Sequence, residues 1–249
     1  MRELPTPAAV ADATEDPLLR WGAQALTPEH PHARGSAWCS GAAVAVLAPG
    51  LNRADRLLFT GPADDATRLL AGLLPGLGPG RWRPIASTAL AHRVADRLEL
   101  PVRGTFGWMD LRAPAPADVP VGVGWLPAGS AAEVTALLRT ANPRSYLFPD
   151  DPGAVRWAGV RGADGTLLSV GADAWPAPGL RFLAGVATHP ASRGQHLSTM
   201  VCTFLVRELA RHGDVALMAD ADNAPALRLY RGLGFEYRSV TALAVPEPA

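Results

Sequence analysis

The chain has 249 residues, 23 basic and 23 acidic side chains, and a formal net charge of zero. That balance removes the electrostatic basis for nucleic acid or an anionic membrane as a partner. Apolar residues make up 48% of the chain, enough to bury a sizeable core and too many for a disordered segment.

Every basic residue is arginine, and Ala, Gly and Pro are abundant, which reads as the codon bias of a GC-rich bacterial genome. The opening MRELPTPAAVADATEDPLL has no charged-then-apolar signal pattern, and no apolar run reaches membrane-spanning length. A soluble cytoplasmic protein is the expectation. Cys39 and Cys202 lie far apart, without metal-ligand spacing. Reduced, buried thiols are expected, with a single disulfide left open.

In chain order, Ala37 to Leu47 reads as one buried strand and Arg56 to Thr60 as a second. Residues 62–74 open with proline and acids and then carry Leu69, Leu70, Leu73 and Leu74 at helical spacing. Gly76, Gly78, Pro79 and Gly80 end that helix. Trp82 to Ala86 reads as a strand, Thr88 to Leu98 as an amphipathic helix, and Thr105 to Leu111 as a strand. The stretch RAPAPADVP, residues 112–120, is a linker, because its prolines hold neither a helix nor a central strand. It divides the chain into a first block, 1–116, without a chemical signature, and a second, 117–249.

In the second block Val121 to Leu126 reads as a strand. Ser130 opens a helix to Leu138, with Glu133 completing a capping-box pattern. Val155 to Val160 and Thr166 to Ala172 read as paired strands around the turn 162–165, which contains an Asp-Gly step. Arg181 to Thr188 is a further strand. Leu197, Met200, Val201, Phe204, Leu205 and Leu209 form a helical stripe closed by Gly213. A strand over Val215 to Ala219, a helix over Ala224 to Arg231 and a strand over Tyr237 to Val245 finish the chain. No sequence repeat links the two blocks. Trp125, Trp157 and Trp175 fall in or beside strands and read as core residues, with lining of an acceptor pocket as the alternative.

Two segments carry candidate chemistry. In 186-VATHPASRGQHLSTMVCTFLV-206 a strand ends at a turn rich in Arg, Gly and Ser that leads into a helix. The unpaired N–H groups and dipole of such a helix start suit a pyrophosphate. Arg193 adds a charged donor, and Gly194 lets the backbone approach the ligand. Turn geometry alone also accounts for an Arg-Gly pair there. In 217-LMADADNAPALRLYRGLGFEYRS-239, Asn223 suits an N-cap, Pro225 an early helical position, and Gly232 and Gly234 a left-handed exit. Each of these residues also has a purely structural reading, Tyr230 as a core aromatic included.

Taken together, in this order and separation, the two segments resemble the GNAT superfamily of acyl-CoA-dependent N-acyltransferases, over roughly residues 120–245. Val186, Ala187 and Thr188 look like its acyl-CoA-binding strand. Arg193, Gly194, Gln195, His196, Leu197 and Ser198 look like its turn and helix start. Asn223, Ala226, Tyr230, Gly234 and Phe235 look like its second signature. The resemblance implies an α/β (α+β) fold with a mixed, mostly antiparallel sheet flanked by helices, preceded by a second α/β block. It implies acetyl-CoA, or another acyl-CoA, as cosubstrate and a small-molecule or peptide amine as acceptor. Its acyl group would pass by direct attack, with Tyr230 protonating the leaving thiolate. No metal, nucleic acid or membrane is implied, and a homo-oligomer stays open.

The family turn usually places small residues where this chain has His196 and Ser198. That departure bears on the strength of cofactor binding, since glycine permits the closest backbone approach. The strand before the turn carries no carboxylate, which leaves His189, Asp173 or water as base. The first block is read as a degenerate copy of the same fold, resembling tandem or glycine N-acyltransferase-like members. The rival readings are a non-catalytic acyl-CoA sensor and a structural α/β protein with coincidental motifs.

Overall fold

A computed structural model of the chain describes residues 1–28, 34–78, 82–118 and 120–245. Pro79 and Gly80 of the first helix stop, and Val119 of the linker, lie outside the described residues. The fold is mixed α/β, with helices flanking sheet that is mostly antiparallel. No helix among the described residues is long and apolar enough to cross a membrane.

The chain falls into two compact units. Unit 1 holds Met1–Met109, Met218–Ala224 and the chain from Tyr237 on, and unit 2 holds Asp110–Leu217 and Pro225–Glu236. The units are therefore discontinuous in sequence, whereas the linker divides the chain only once.

The elements begin with β1 (Arg2–Glu3), α1 (Pro7–Ala13), α2 (Pro17–Gly22), β2 (Ser36–Ser40), β3 (Ala43–Ala48) and β4 (Asp55–Thr60). Then come α3 (Ala63–Leu73), β5 (Trp82–Ser87), α4 (Thr88–Leu98) and β6 (Val102–Leu111). The second half contributes β7 (Val123–Trp125), α5 (Ala131–Ala141), β8 (Ala154–Arg161), β9 (Leu167–Ala177) and β10 (Leu180–Thr188). It ends with α6 (Leu197–Ala210), β11 (Asp214–Ala219), α7 (Ala224–Gly232) and β12 (Phe235–Leu243).

In unit 1 the strands lie in the order β1-β2-β3-β4-β5-β12-β6. The pairs β2–β3 and β3–β4 are antiparallel, and β4–β5 is parallel with α3 as the crossover. The core packs Leu69 and Leu70 of α3 and Leu90, Ala91 and Val94 of α4 with Ala45, Leu47, Leu57 and Phe59 of the strands. In unit 2 the order is β11-β10-β9-β8-β7. Here β8–β9 and β9–β10 are antiparallel, and β10–β11 is parallel with α6 as the crossover. Three antiparallel neighbours, a crossover helix and a parallel strand thus occur twice. The sequence shows no repeat, yet the order of elements repeats.

Three expectations need correction. Ala37 to Leu47 is a hairpin, β2 and β3, rather than one strand. Gly41 turns it with φ +58°, in the left-handed region that glycine enters without cost, and the Asp65 carboxylate accepts the Ala42 N–H at 2.9 Å. The capping box at Ser130 does not form, since that side chain caps no N–H. Arg161 instead donates to Glu133 at 2.5 Å and to Ser130 at 3.4 Å. Finally, α1 and α2 were missed. Each is short and begins at a proline, and each is started by one side-chain cap, Thr6 Oγ1 accepting from Ala9 and Asp16 Oδ1 from Leu18. The Thr-Pro and Asp-Pro steps were the available signal.

Candidate functional site

In unit 2, β10 and β11 pair at only three positions, Leu180 with Asp214, Arg181 with Val215 and Phe182 with Ala216. Beyond Phe182, β10 runs on to Thr188 with no further partner on β11. Two parallel strands that stop pairing leave backbone donors and acceptors facing a gap, and such groups call for a ligand or water.

The other edge of β10 is interrupted as well. Ala184 pairs with Ala172 and Ala187 with Val170, so Gly185 and Val186 together oppose Gly171 in a β-bulge. Gly185 sits at φ +64°. The space above Gly171 is taken by Leu205 and Val201 of α6 and by Val186. Val186 is therefore a packing residue through its side chain, which leaves its backbone for any ligand contact. Further on, Ser169 Oγ donates to the Ala187 carbonyl at 3.2 Å and lies 2.9 Å from Thr188 Oγ1. Those two expected site residues are thus tied to β9.

After β10 the chain makes one short turn over residues 190–192 and enters α6 through the expected corner. Arg193, Gly194, Gln195 and His196 are exposed, Leu197 is buried and Ser198 is half-buried. Gly194 has φ +80°, with open space where a Cβ would stand. His196, at the N-cap of α6, has φ +58° and caps no N–H with its side chain. A left-handed backbone at a residue with a Cβ costs about 1–2 kcal/mol relative to glycine, so this position favours the glycine it lacks. Arg193 reaches back to donate to the Ala141 carbonyl at the end of α5, at 3.2 Å. The corner therefore presents an uncapped helix start, which carries partial positive charge, beside an exposed guanidinium.

Tyr230 lies on α7 and is 8% exposed, edge-on to Phe235 at 6.0 Å between centroids. Burial pushes its phenol well above the usual value of 10, and the Cys202 thiol beside it adds to the effect. Cys202 is buried within α6, which raises its own pKa to about 12. Both cysteines are free thiols, Cys39 being half-buried. Asn223 falls in the 218–224 segment of unit 1, where its N–H donates to the Asp220 carbonyl at 3.1 Å. The exit from α7 is the expected one, with Gly234 at φ +92° tight against Ala113.

Neither candidate base stands ready for proton transfer. His189 Nδ1 accepts the Ala191 N–H at 3.3 Å, which makes the ring a cap for the following turn. Asp173 is buried, with Arg156 and Arg181 each 4.0 Å from Oδ2. Burial raises its carboxyl pKa, with Arg181 and then Arg156 opposing that shift. Trp125 is held by Phe204 at 5.1 Å and covered by the Arg156 guanidinium at 3.6 Å. Trp157 and Trp175 are buried, as expected for core residues.

Residues 117–235 match the model of the acetyltransferase (GNAT) family. A mycothiol acetyltransferase of Frankia casuarinae is 29% identical over 214 residues, an alignment covering 82% of this chain and 56% of that protein. The chain therefore spans just over half the length of that relative. Among solved structures, a putative GNAT-family acetyltransferase from Novosphingobium aromaticivorans superposes with a TM-score of 0.53 at 23% identity, over 78% of this chain and 88% of its own. A tandem GNAT protein from the clavulanic acid biosynthesis pathway gives 0.54 at 17%, over 86% and 84%. At such identities the likeness speaks for the fold. Residues 117–235, just under half of the chain, are therefore similar to the acetyltransferase (GNAT) family.

Proposed function

We propose that the chain transfers an acetyl group, or another short acyl group, from acyl-CoA to a primary amine. The observation that carries this reading is the gap left where β10 and β11 stop pairing, with the uncapped start of α6 following β10 in the same unit. The first-turn N–H groups of α6 and the Arg193 guanidinium suit the pyrophosphate. The backbone of Val186, Ala187 and Thr188 suits the amide-bearing pantetheine arm.

The chemistry follows from groups present in the chain. A neutral amine attacks the thioester carbonyl, forming the C–N bond, and a backbone N–H near Val186 steadies the oxyanion. As the C–S bond breaks, the departing thiolate takes its proton from the Tyr230 hydroxyl. The raised phenol pKa keeps that donor protonated at neutral pH. The amine nitrogen loses its extra proton to water, and solvent returns a proton to the phenolate. With His189 engaged as a cap and Asp173 flanked by arginines, no side chain is assigned as base.

We further propose that unit 1 is a degenerate copy of the same fold, supported by its matching order of antiparallel strands, crossover helix and parallel strand. The test of function is turnover of acetyl-CoA across a panel of amines. The proposal expects free CoA to appear with at least one amine. Tight CoA binding without turnover on any amine favours a sensor instead.

A further inference from the structure

We propose that Trp157 gauges the acyl group, its indole forming the wall at which an acetyl methyl ends and a longer chain collides. This rests on the acyl-CoA reading of β10 given above.

Trp157 on β8 pairs with Ala172 on β9, which pairs in turn with Ala184 on β10. Two small side chains therefore lie in line beside the indole. The next residue is Gly185, at the bulge. A Cβ built there would stand 2.5 Å from Trp157 Cη2 and 2.8 Å from Cζ3, with Leu147 at 3.5 Å. The six-membered edge of the ring thus rests directly on bare backbone, at the stretch of β10 that has lost β11 and is bulged away from β9.

At the bulge, the space over Gly171 is closed by Leu205, Val201 and Val186. That closed face is the one opposite Trp157, because Gly171 and Ala172 alternate across β9. A thioester laid along the bulge therefore meets the Trp157 ring at Gly185, on the other face. The ring itself is 8% exposed, and its Nε1 is buried without a hydrogen-bond partner among the described residues. A buried indole N–H normally finds an acceptor. An oxygen atom of a bound ligand is the acceptor the site lacks. Bare backbone, a large rigid ring and an orphaned donor together describe the end of a short pocket.

The experiment compares wild type with Trp157→Ala and Trp157→Phe, using free CoA and acetyl-, propionyl- and butyryl-CoA. Binding is followed by calorimetry, and turnover is measured with one fixed amine. Wild type should favour acetyl over butyryl by at least about tenfold in kcat/KM, a range that one or two methylenes command in an apolar pocket. Trp157→Ala should shrink that preference about tenfold or more while leaving free CoA affinity within about twofold. Trp157→Phe, which keeps an aromatic ring in the core, should accept propionyl-CoA while still rejecting butyryl-CoA. An unchanged acyl preference in a folded variant that binds free CoA overturns the gauge and leaves the acyltransferase reading standing. Failure of wild type to bind free CoA, which carries no acyl group, sinks both.

Discussion

In unit 1 the parallel strands β4 and β5 pair at four positions, from Asp55 with Trp82 to Leu58 with Ile85, which leaves only two residues at the end of each strand. In unit 2, β10 and β11 pair at three and then leave Leu183 to Thr188 without that neighbour. The crossover helices differ in the same sense. The first turn of α3 holds Asp64 and Asp65, whereas that of α6 holds no acid and follows Arg193. Asp65 accepts the Ala42 N–H and pairs with Arg68, and Asp64 pairs with Arg97, which holds its carboxyl below the usual range. The positive end of α3 is thus already answered by the chain's own carboxylates, which would also repel a phosphate. Counted from each helix start, Val94 of α4 stands where α7 has Tyr230. One arrangement of strands and helices has been finished once as a closed, self-neutralised corner and once as an open, anion-ready one.

If the open corner is the catalytic one, the phenol should matter most. Tyr230→Phe should lower kcat by about a hundredfold or more and leave CoA affinity nearly intact. An unchanged rate removes Tyr230 as the acid. Next comes Arg193→Ala, expected to weaken CoA binding by about tenfold, as befits one charge-assisted contact. Asp64→Asn and Asp65→Asn, at the closed corner, should leave CoA affinity unaltered. Calorimetry distinguishes the corners, and equal effects at both would erase the difference drawn between them.

The pH dependence offers a finer discrimination. A phenol raised above 10 keeps its proton throughout the neutral and mildly basic range. The ratio of wild-type to Tyr230→Phe rates should therefore stay flat between about pH 7 and 10. A decline in that interval would mean the donor titrates there. Asp173 should act on stability instead. Its folded pKa is raised from 3.8, so the native state holds the proton more tightly than the unfolded chain, and its contribution falls as pH rises through the folded value. Asp173→Asn should gain thermal stability relative to wild type between pH 4 and 7. The smallest effect is expected from His196→Gly, which relieves a left-handed residue and should stabilise by about 1 kcal/mol without weakening CoA binding. Denaturant unfolding measures it.

Much of the second block could be read from sequence because its strands and helices are long and periodic. The order from β7 to β12, and the corner from Val186 to Ser198, follow from local pattern. Other features depend on partners distant in sequence. The bulge at Gly185 needs Gly171 and Trp157, which lie on other strands. The burial of Asp173 between two arginines comes from strand register, which a single sequence does not reveal. The hairpin at Gly41 was hidden inside an apolar run, where only one glycine marked the turn. The repeat expected for the first block leaves no trace in matching residues, because topology is set by hydrophobic pattern and crossover geometry, neither of which requires them.

A crystal structure of the protein grown with acetyl-CoA bears most directly on the site. The account predicts one cofactor, its pyrophosphate on the first-turn N–H groups of α6 beside Arg193 and its thioester along the bulge at Gly185. Cofactor bound at the start of α3, or a gap between β10 and β11 filled by the chain's own side chains under saturating ligand, would contradict it.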